Sequence, residues 1–177
     1  MSEKASHPIK DEASVNSAGE PLAPLPDGVT FRRAPTQIDD RGSVCEIFDP
    51  RWQWHPDPIV FVYMFTLRPG KIKGWGLHKL HQDRYFVLVG EMQVIMYDVR
   101  PDSSTRNTIS TVVLSEYDRR LMNIPTGIWH ANRNIGNKDA VIVNFPTQPY
   151  NHADPDKYRL PIDTDQIPYK FETNPGW

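Results

Sequence analysis

Two stretches decide the fold. Residues 76–90 read Gly76-Leu77-His78-Lys79-Leu80-His81-Gln82-Asp83-Arg84-Tyr85-Phe86-Val87-Leu88-Val89-Gly90, and residues 125–134 read Pro125-Thr126-Gly127-Ile128-Trp129-His130-Ala131-Asn132-Arg133-Asn134. Each sets imidazole beside a run of apolar residues. Because side chains in a strand alternate between faces, histidines from two separate strands can converge inside a barrel whose interior repeats every second residue. The function is therefore sought between these two segments.

Working outward, short β-branched or aromatic runs recur at Val44 to Phe48, Ile59 to Leu67, Tyr85 to Val89, Met92 to Val99, Thr111 to Leu114 and Ala140 to Phe145. These predict strands. Asp39-Asp40-Arg41-Gly42, Arg68-Pro69-Gly70, Val89-Gly90-Glu91 and Pro125-Thr126-Gly127 carry turn chemistry between them. Ser115 to Arg120 reads as a helical turn capped by Ser115, and seventeen prolines argue against long helices. The expected fold is all-β, a double-sheet jelly-roll barrel with short helical turns.

A chain of 177 residues suits one domain with a single substantial core. Residues 1–27, rich in Ser, Glu, Lys, Ala and Pro without periodicity, read as a disordered tail, which leaves 28–177 for the barrel. A formal charge of -2 gives no general attraction to phosphate backbones, so nucleic acid is not an expected partner. Cys45 is the lone cysteine, and no apolar run suggests a signal peptide or a bilayer span. A reducing, cytoplasmic setting without membrane attachment is expected.

Pro125-x-Gly127-x-x-His130-x-x-x-Asn134 resembles the second motif of the cupin superfamily, and His78, Asp83 and Gly90 fall on three positions of the first, with Gly76 where a further histidine would stand. A closer resemblance, over residues 31–170, is to the dTDP-4-dehydrorhamnose 3,5-epimerase family. It is carried by Asp40-Arg41-Gly42 with Glu46, Gly76-Leu77-His78, Asp98-x-Arg100-x-x-Ser103-x-Thr105, Leu114-Ser115 and Ile124-Pro125-x-Gly127-x-x-His130. The resemblance implies a cupin-type barrel and proton exchange next to the C4 ketone of a nucleotide-linked 4-keto-6-deoxyhexose, in carbohydrate biosynthesis. It also implies a homodimer and no metal or redox cofactor.

Such a reaction needs a base, a donor for the enolate oxygen and an acid for proton return. By resemblance, His78 is the base, Arg84 stands near a catalytic cation and Tyr150 near the acid. Arg41, Glu46 and His130 fall on substrate-contacting positions. Trp75 replaces a phosphate-binding arginine and offers a surface for stacking on a base or sugar. The family's C-terminal Ser-x-Lys-Asp stretch, whose aspartate orients the base, has no counterpart in Leu160 to Tyr169, which leaves Asp83 and Asp163 as candidates by chemistry.

Other readings stand beside these. His78, Asp83, His130 and His81 could hold a divalent metal ion in a cupin enzyme such as a dioxygenase. The pocket could also bind a sugar nucleotide without turnover. Arg84 could be a solvated strand residue, Asp83 an ion-pair partner of Arg84 or Lys79, Arg41 an ordinary turn residue and Tyr150 packing at the rim. Trp52, Trp54, Phe61 and Tyr63 read as core or dimer interface, with a carbohydrate platform as the alternative.

Overall fold

The computed structural model describes residues 10–17 and 21–171, and among them it has twelve strands and one short 3₁₀ turn. The strands are β1 (Thr30–Arg33), β2 (Thr36–Asp39), β3 (Gly42–Cys45), β4 (Tyr63–Leu67), β5 (Ile72–Leu77) and β6 (Asp83–Val89), followed by β7 (Glu91–Asp98), β8 (Ile109–Ser115), β9 (Arg120–Ile124), β10 (Ile128–Asn134), β11 (Ala140–Asn144) and β12 (Tyr158–Arg159). Two five-stranded antiparallel sheets, ordered β1-β9-β6-β11-β4 and β12-β5-β10-β7-β8, pack as a jelly roll, and β2 with β3 forms a separate hairpin. The all-β expectation holds.

Alternation sorts the strands into layers. Tyr85 and Val87 of β6, Met122 and Ile124 of β9 and Ile142 of β11 meet Met92, Val94 and Met96 of β7 and Val112 and Leu114 of β8 between the sheets. The intervening residues face outward, where Phe86 and Leu121 are covered by the segment carrying Phe48, Trp52, Trp54 and Ile59. On the opposite outer face, Trp75, Ile95 and Ala131 are covered by Leu160, Ile167, Tyr169 and Phe171. Trp52 and Trp54 are therefore core residues of the outer layer, not a carbohydrate platform.

The expected runs located β4, β6, β7, β8 and β11. Others carried no such signal: β5 holds two glycines and β9 reads Arg-Leu-Met-Asn-Ile, so tertiary pairing alone makes them strands. Ser115 to Arg120 is a tight β-turn, not a helical one: the Ser115 carbonyl accepts from Asp118 N–H and its hydroxyl accepts from Tyr117 N–H. The helical turn lies instead at Pro50–Trp52, where Asp49 caps the N-terminus. Gly90 makes the β6–β7 turn at φ +81°, a conformation that side chains disfavour.

Of the tail expected over 1–27, residues 1–9 and 18–20 lie outside the described residues. Pro24 to Asp27 are held against the barrel. Leu25 packs on the inter-sheet core, Ser110 hydroxyl donates to the Pro24 carbonyl, and Asp27 N–H donates to Thr105 Oγ1 at 2.8 Å.

One irregularity matters to function. In the β5–β10 ladder His130 faces Gly76 but Asn132 faces Lys73, so β5 carries an extra residue between the two pairs. Such a bulge breaks the period of two, and it turns both Lys73 and Gly76 to the interior while Trp75 stays outside. Gly74 makes this possible, since a Cβ there would lie 2.4 Å from Ala131 Cβ and 2.6 Å from Ala131 Cα. Gly74→Ala is expected to lower stability by about 2–3 kcal/mol. Denaturant unfolding checks this, and an unchanged midpoint would show that the bulge has room.

Candidate active site

Between the sheets, at the mouth of the barrel, lies a cavity of about 300 Å³ lined by strands β4, β5, β6, β10 and the β12 segment. His78 follows β5, Asp83 opens β6 and His130 sits in β10, so three adjacent parts of the two sheets deliver the polar groups to one place. Asp83 is 2% exposed. Its Oδ2 lies 3.3 Å from His78 Nε2 and 3.4 Å from His130 Nε2, and its Oδ1 lies 3.7 Å from His81 Nε2. Tyr85 hydroxyl donates to Oδ2 at 3.0 Å and Asn144 Nδ2 to Oδ1 at 2.7 Å.

The far nitrogens of the rings are also held. His78 Nδ1 faces the Asp156 backbone carbonyl at 2.5 Å, His130 Nδ1 the Ile128 carbonyl at 3.2 Å, and His81 Nδ1 the Asp156 carboxylate at 2.9 Å. A carbonyl only accepts, so Nδ1 of His78 and of His130 carries a hydrogen. In the neutral ring Nε2 is then the basic atom, and it is the atom beside Asp83. Asp156 does more: its carboxylate accepts the N–H groups of Lys79, Leu80 and His81, which fixes the loop between His78 and Asp83.

Electrostatics follow from this packing. Burial pushes the Asp83 carboxyl upward, but hydrogen bonds and positive charge from His130 and His78 outweigh it and leave the pKa well below the usual carboxylate range. For His78, burial is the largest single influence and pulls the pKa down, yet Asp83 and Asp156 together leave it raised. His81 moves the other way, lowered by burial and by the charge of His78. Burial beside Asp83 lifts the Tyr63 phenol to about 12.

A second, outer cavity of about 160 Å³ adjoins the first and shares Tyr63, His78 and Lys157 with it. Tyr150 lines this outer cavity, 44% exposed. His78, His130 and Tyr150 are thus brought to one connected space.

Other expected site residues are not. Arg84 follows Asp83 by one position and so faces the other side of β6. It is 1% exposed, and its guanidinium donates to the carbonyls of Phe145 (2.6 Å), Asp57 (2.7 Å), Pro58 (2.8 Å) and Pro146 (3.3 Å), pinning two loops behind the sheet. It is neither a site cation nor a solvated residue. Trp75, also expected at the substrate, is fully buried in the outer layer, edge-on to Tyr169 at 6.2 Å. Its indole anchors the C-terminal segment and has no face free for stacking. Asp163 is exposed and lines neither cavity, so the orienting group is the Asp156 carbonyl, with Asp83 at the other nitrogen. Arg41 and Glu46 are exposed on and just after the β2–β3 hairpin, and Arg41 pairs with its own Asp39 at 2.6 Å.

Sequence reasoning missed Lys73, Asp156, Lys157 and Arg159. A signal for the last two existed in Asp154-Pro155-Asp156-Lys157-Tyr158-Arg159, where a turn leads into an alternation that sets Lys157 and Arg159 on one face.

A family model described as the polysaccharide biosynthesis C-terminal domain matches residues 37–158. This chain belongs to that family. Among its relatives, the probable low-salt glycan biosynthesis epimerase Agl13 of Haloferax volcanii is 35% identical over 76% of this chain and 87% of its own length. The spore coat polysaccharide biosynthesis protein SpsL of Bacillus subtilis is 31% identical over 83% of this chain and 97% of its own. The fold recurs in a dTDP sugar isomerase from Desulfovibrio desulfuricans, with a TM-score of 0.76 and 24% identity over 84% of this chain and 94% of that one. It recurs also in a dTDP-4-dehydrorhamnose 3,5-epimerase from Bacillus anthracis, with a TM-score of 0.72 and 15% identity over 84% and 87%. The resemblance read from the sequence therefore stands, and the barrel of this family member is that of the dTDP-sugar epimerases.

Because Arg84 holds four carbonyls, Arg84→Met is expected to leave buried acceptors unpaired and cost about 3 kcal/mol or more. A denaturant titration checks it. Normal stability with lost turnover would return Arg84 to the site.

Proposed function

We propose that this family member is a sugar-nucleotide epimerase. It exchanges protons next to the ketone of a nucleotide-linked 4-keto-6-deoxyhexose, without a cofactor and in the cytoplasm. The observation that carries the reading is His78, an imidazole whose Nδ1–H is tied to a backbone carbonyl so that its basic Nε2 borders the inter-sheet cavity. The names of its relatives, a glycan biosynthesis epimerase and a spore coat polysaccharide protein, support the same class of chemistry.

The proton inventory suits the reaction. Neutral His78 takes the proton of the carbon acid on Nε2, and the imidazolium so formed lies 3.3 Å from the Asp83 carboxylate, which stabilises it. Tyr150, at the outer cavity, is the acid that returns a proton from the other side. Tyr63 stands between the cavities, accepts from Asn144 Nδ2 at 2.9 Å and keeps its own hydrogen free to donate to the sugar. His130 borders the sugar and shares Asp83 with the base.

Arg41 and Glu46 lie outside the cavities of their own chain. In the homodimer we propose, their place is at the site of the second copy, where Arg41 would meet the nucleotide phosphates.

The donor set also fits a divalent ion, which is the second reading. Nε2 of His78 and of His130 converge with the Asp83 carboxylate, His78, His81 and Asp156 form an adjoining group, and each Nδ1 is held by an oxygen, as ligating histidines are in metal sites. His78, Asp83 and His130 would hold it, with His81 beside them in the adjoining group, and it would supply a Lewis acid for the sugar ketone. A metal on Nε2 of His78 would occupy the lone pair that the base needs, so the two readings exclude each other.

The deciding measurement is deuterium uptake at C3 or C5 of nucleotide-linked 4-keto-6-deoxyhexoses in heavy water. We expect uptake that survives chelation and is lost by at least about a thousandfold in His78→Asn. No uptake with several such sugars would sink the epimerase reading, and uptake lost on chelation and restored by one divalent metal would favour the metal reading.

The pH dependence follows from His78. Only the neutral ring is a base, and Asp83 and Asp156 raise its pKa against burial, so kcat/KM for exchange should rise with pH through a value above the unperturbed figure of about 6.5. Asp83→Asn removes the carboxylate that raises it, and the rising limb should move to lower pH while kcat falls. A limb that does not move would separate Asp83 from the base.

A further inference from the structure

Three cations face the mouth of the sugar cavity: Lys73 from the β5 bulge, and Lys157 and Arg159 from the β12 segment. None has a carboxylate partner at ion-pair distance among the described residues. Lys73 stands over the Phe65 ring at 5.4 Å, and Lys157 and Arg159 are exposed residues whose side chains line the cavity. The arrangement costs the fold something: Lys157 is held below the usual lysine pKa by burial and by the charges of Arg159 and Lys73, with only Asp83 pulling the other way. Three like charges converging on one cavity whose carboxylate, Asp83, is already engaged by His78 and His130 make a receptor for a compact polyanion.

We infer that Lys73, Lys157 and Arg159 form a diphosphate clamp at the mouth of the cavity. For its natural ligand the inference rests on the sugar-nucleotide reading above. The layering explains why the clamp is built here. Position 75, just before Gly76-Leu77-His78, faces the outer layer, where Trp75 packs against Tyr169 and Phe171. A phosphate-binding residue there would point away from the cavity. The bulge at Gly74 brings the preceding cation, Lys73, inward, and pairing of β12 with β5 sets Arg159 against Gly76. Lys157, two positions earlier on the same face of the segment, reaches the wall shared by the inner and outer cavities. The clamp therefore lies between the sugar pocket and solvent, where the linkage from a buried sugar to an outer nucleoside has to pass.

Calorimetric titration with inorganic pyrophosphate tests this without the reaction. The full chain should bind pyrophosphate in a salt-sensitive manner. Lys73→Gln, Lys157→Gln and Arg159→Gln should each weaken binding at least tenfold, and Lys157→Arg should recover most of the loss. Lys170→Gln, which removes an exposed cation paired with Asp165 at 2.9 Å, should leave it unchanged. Thermal midpoints close to wild type would show that the variants fold. Absence of pyrophosphate binding at millimolar concentration, or binding indifferent to all three substitutions, overturns the clamp. Variant-sensitive pyrophosphate binding without deuterium uptake keeps the clamp and removes the epimerase. Uptake with a KM unchanged in all three variants keeps the epimerase and removes the clamp.

Discussion

A carboxylate taken almost wholly out of water sets the terms for the interior of this barrel. Asp83 is 2% exposed, and an ion in that position is tolerated only when it is surrounded by donors and positive charge. Tyr85 and Asn144 give it two hydrogen bonds that no change of protonation removes at neutral pH. The remaining directions are taken by three imidazole Nε2 atoms between 3.3 and 3.7 Å away. Each neighbour is constrained in turn. Asn144 is bonded to Tyr63, Tyr85 to Asn132, and the rings to carbonyls and to Asp156.

The C-terminal segment completes what the strands begin. It lies across the outer face of the second sheet because Trp75, Ile95 and Ala131 need cover, and Leu160, Ile167, Tyr169 and Phe171 provide it. Trp75 and Leu160 exchange backbone hydrogen bonds at 3.3 and 3.2 Å, which fixes the register of the segment. Asp156 then falls beside the loop that joins His78 to Asp83, and Lys157 and Arg159 fall at the cavity mouth. Burial of an indole on the outside of the sheet thus positions an imidazole and two cations on the inside.

This arrangement explains which residues were legible in the sequence. His78 and His130 were, because their motifs place them on strands whose pairing brings them together. The strand containing Tyr85 to Val89 was legible too, yet Arg84 was placed in the site although Asp83 and Arg84 cannot share a face. Trp75 was misread for a different reason: the adjoining bulge changes the period, and bulges carry no sequence signal beyond a glycine. Asp156 acts largely through a backbone carbonyl and three N–H acceptances, roles for which its residue type is only part of the cause. Lys157 and Arg159 sit on a two-residue strand far along the chain, so their place depends on what Trp75 needs on its outer side.

The count of protons around Asp83 leads from this packing to chemistry. With Nδ1 of His78 and of His130 holding a hydrogen toward a carbonyl, each of these rings can donate to the carboxylate from Nε2 only when it is charged. The two rings lie 5.5 Å apart between centroids, and His81 stacks on His78 at 4.0 Å. Full protonation would gather three positive rings around one negative group, and the pKa of His81 is lowered by burial first and then by the charge of His78. The resting site therefore holds fewer protons than Asp83 has positions for. A proton taken from a substrate carbon onto Nε2 of His78 fills one of those positions, so the buried charge that the fold must accommodate is also what makes the imidazole a proton acceptor.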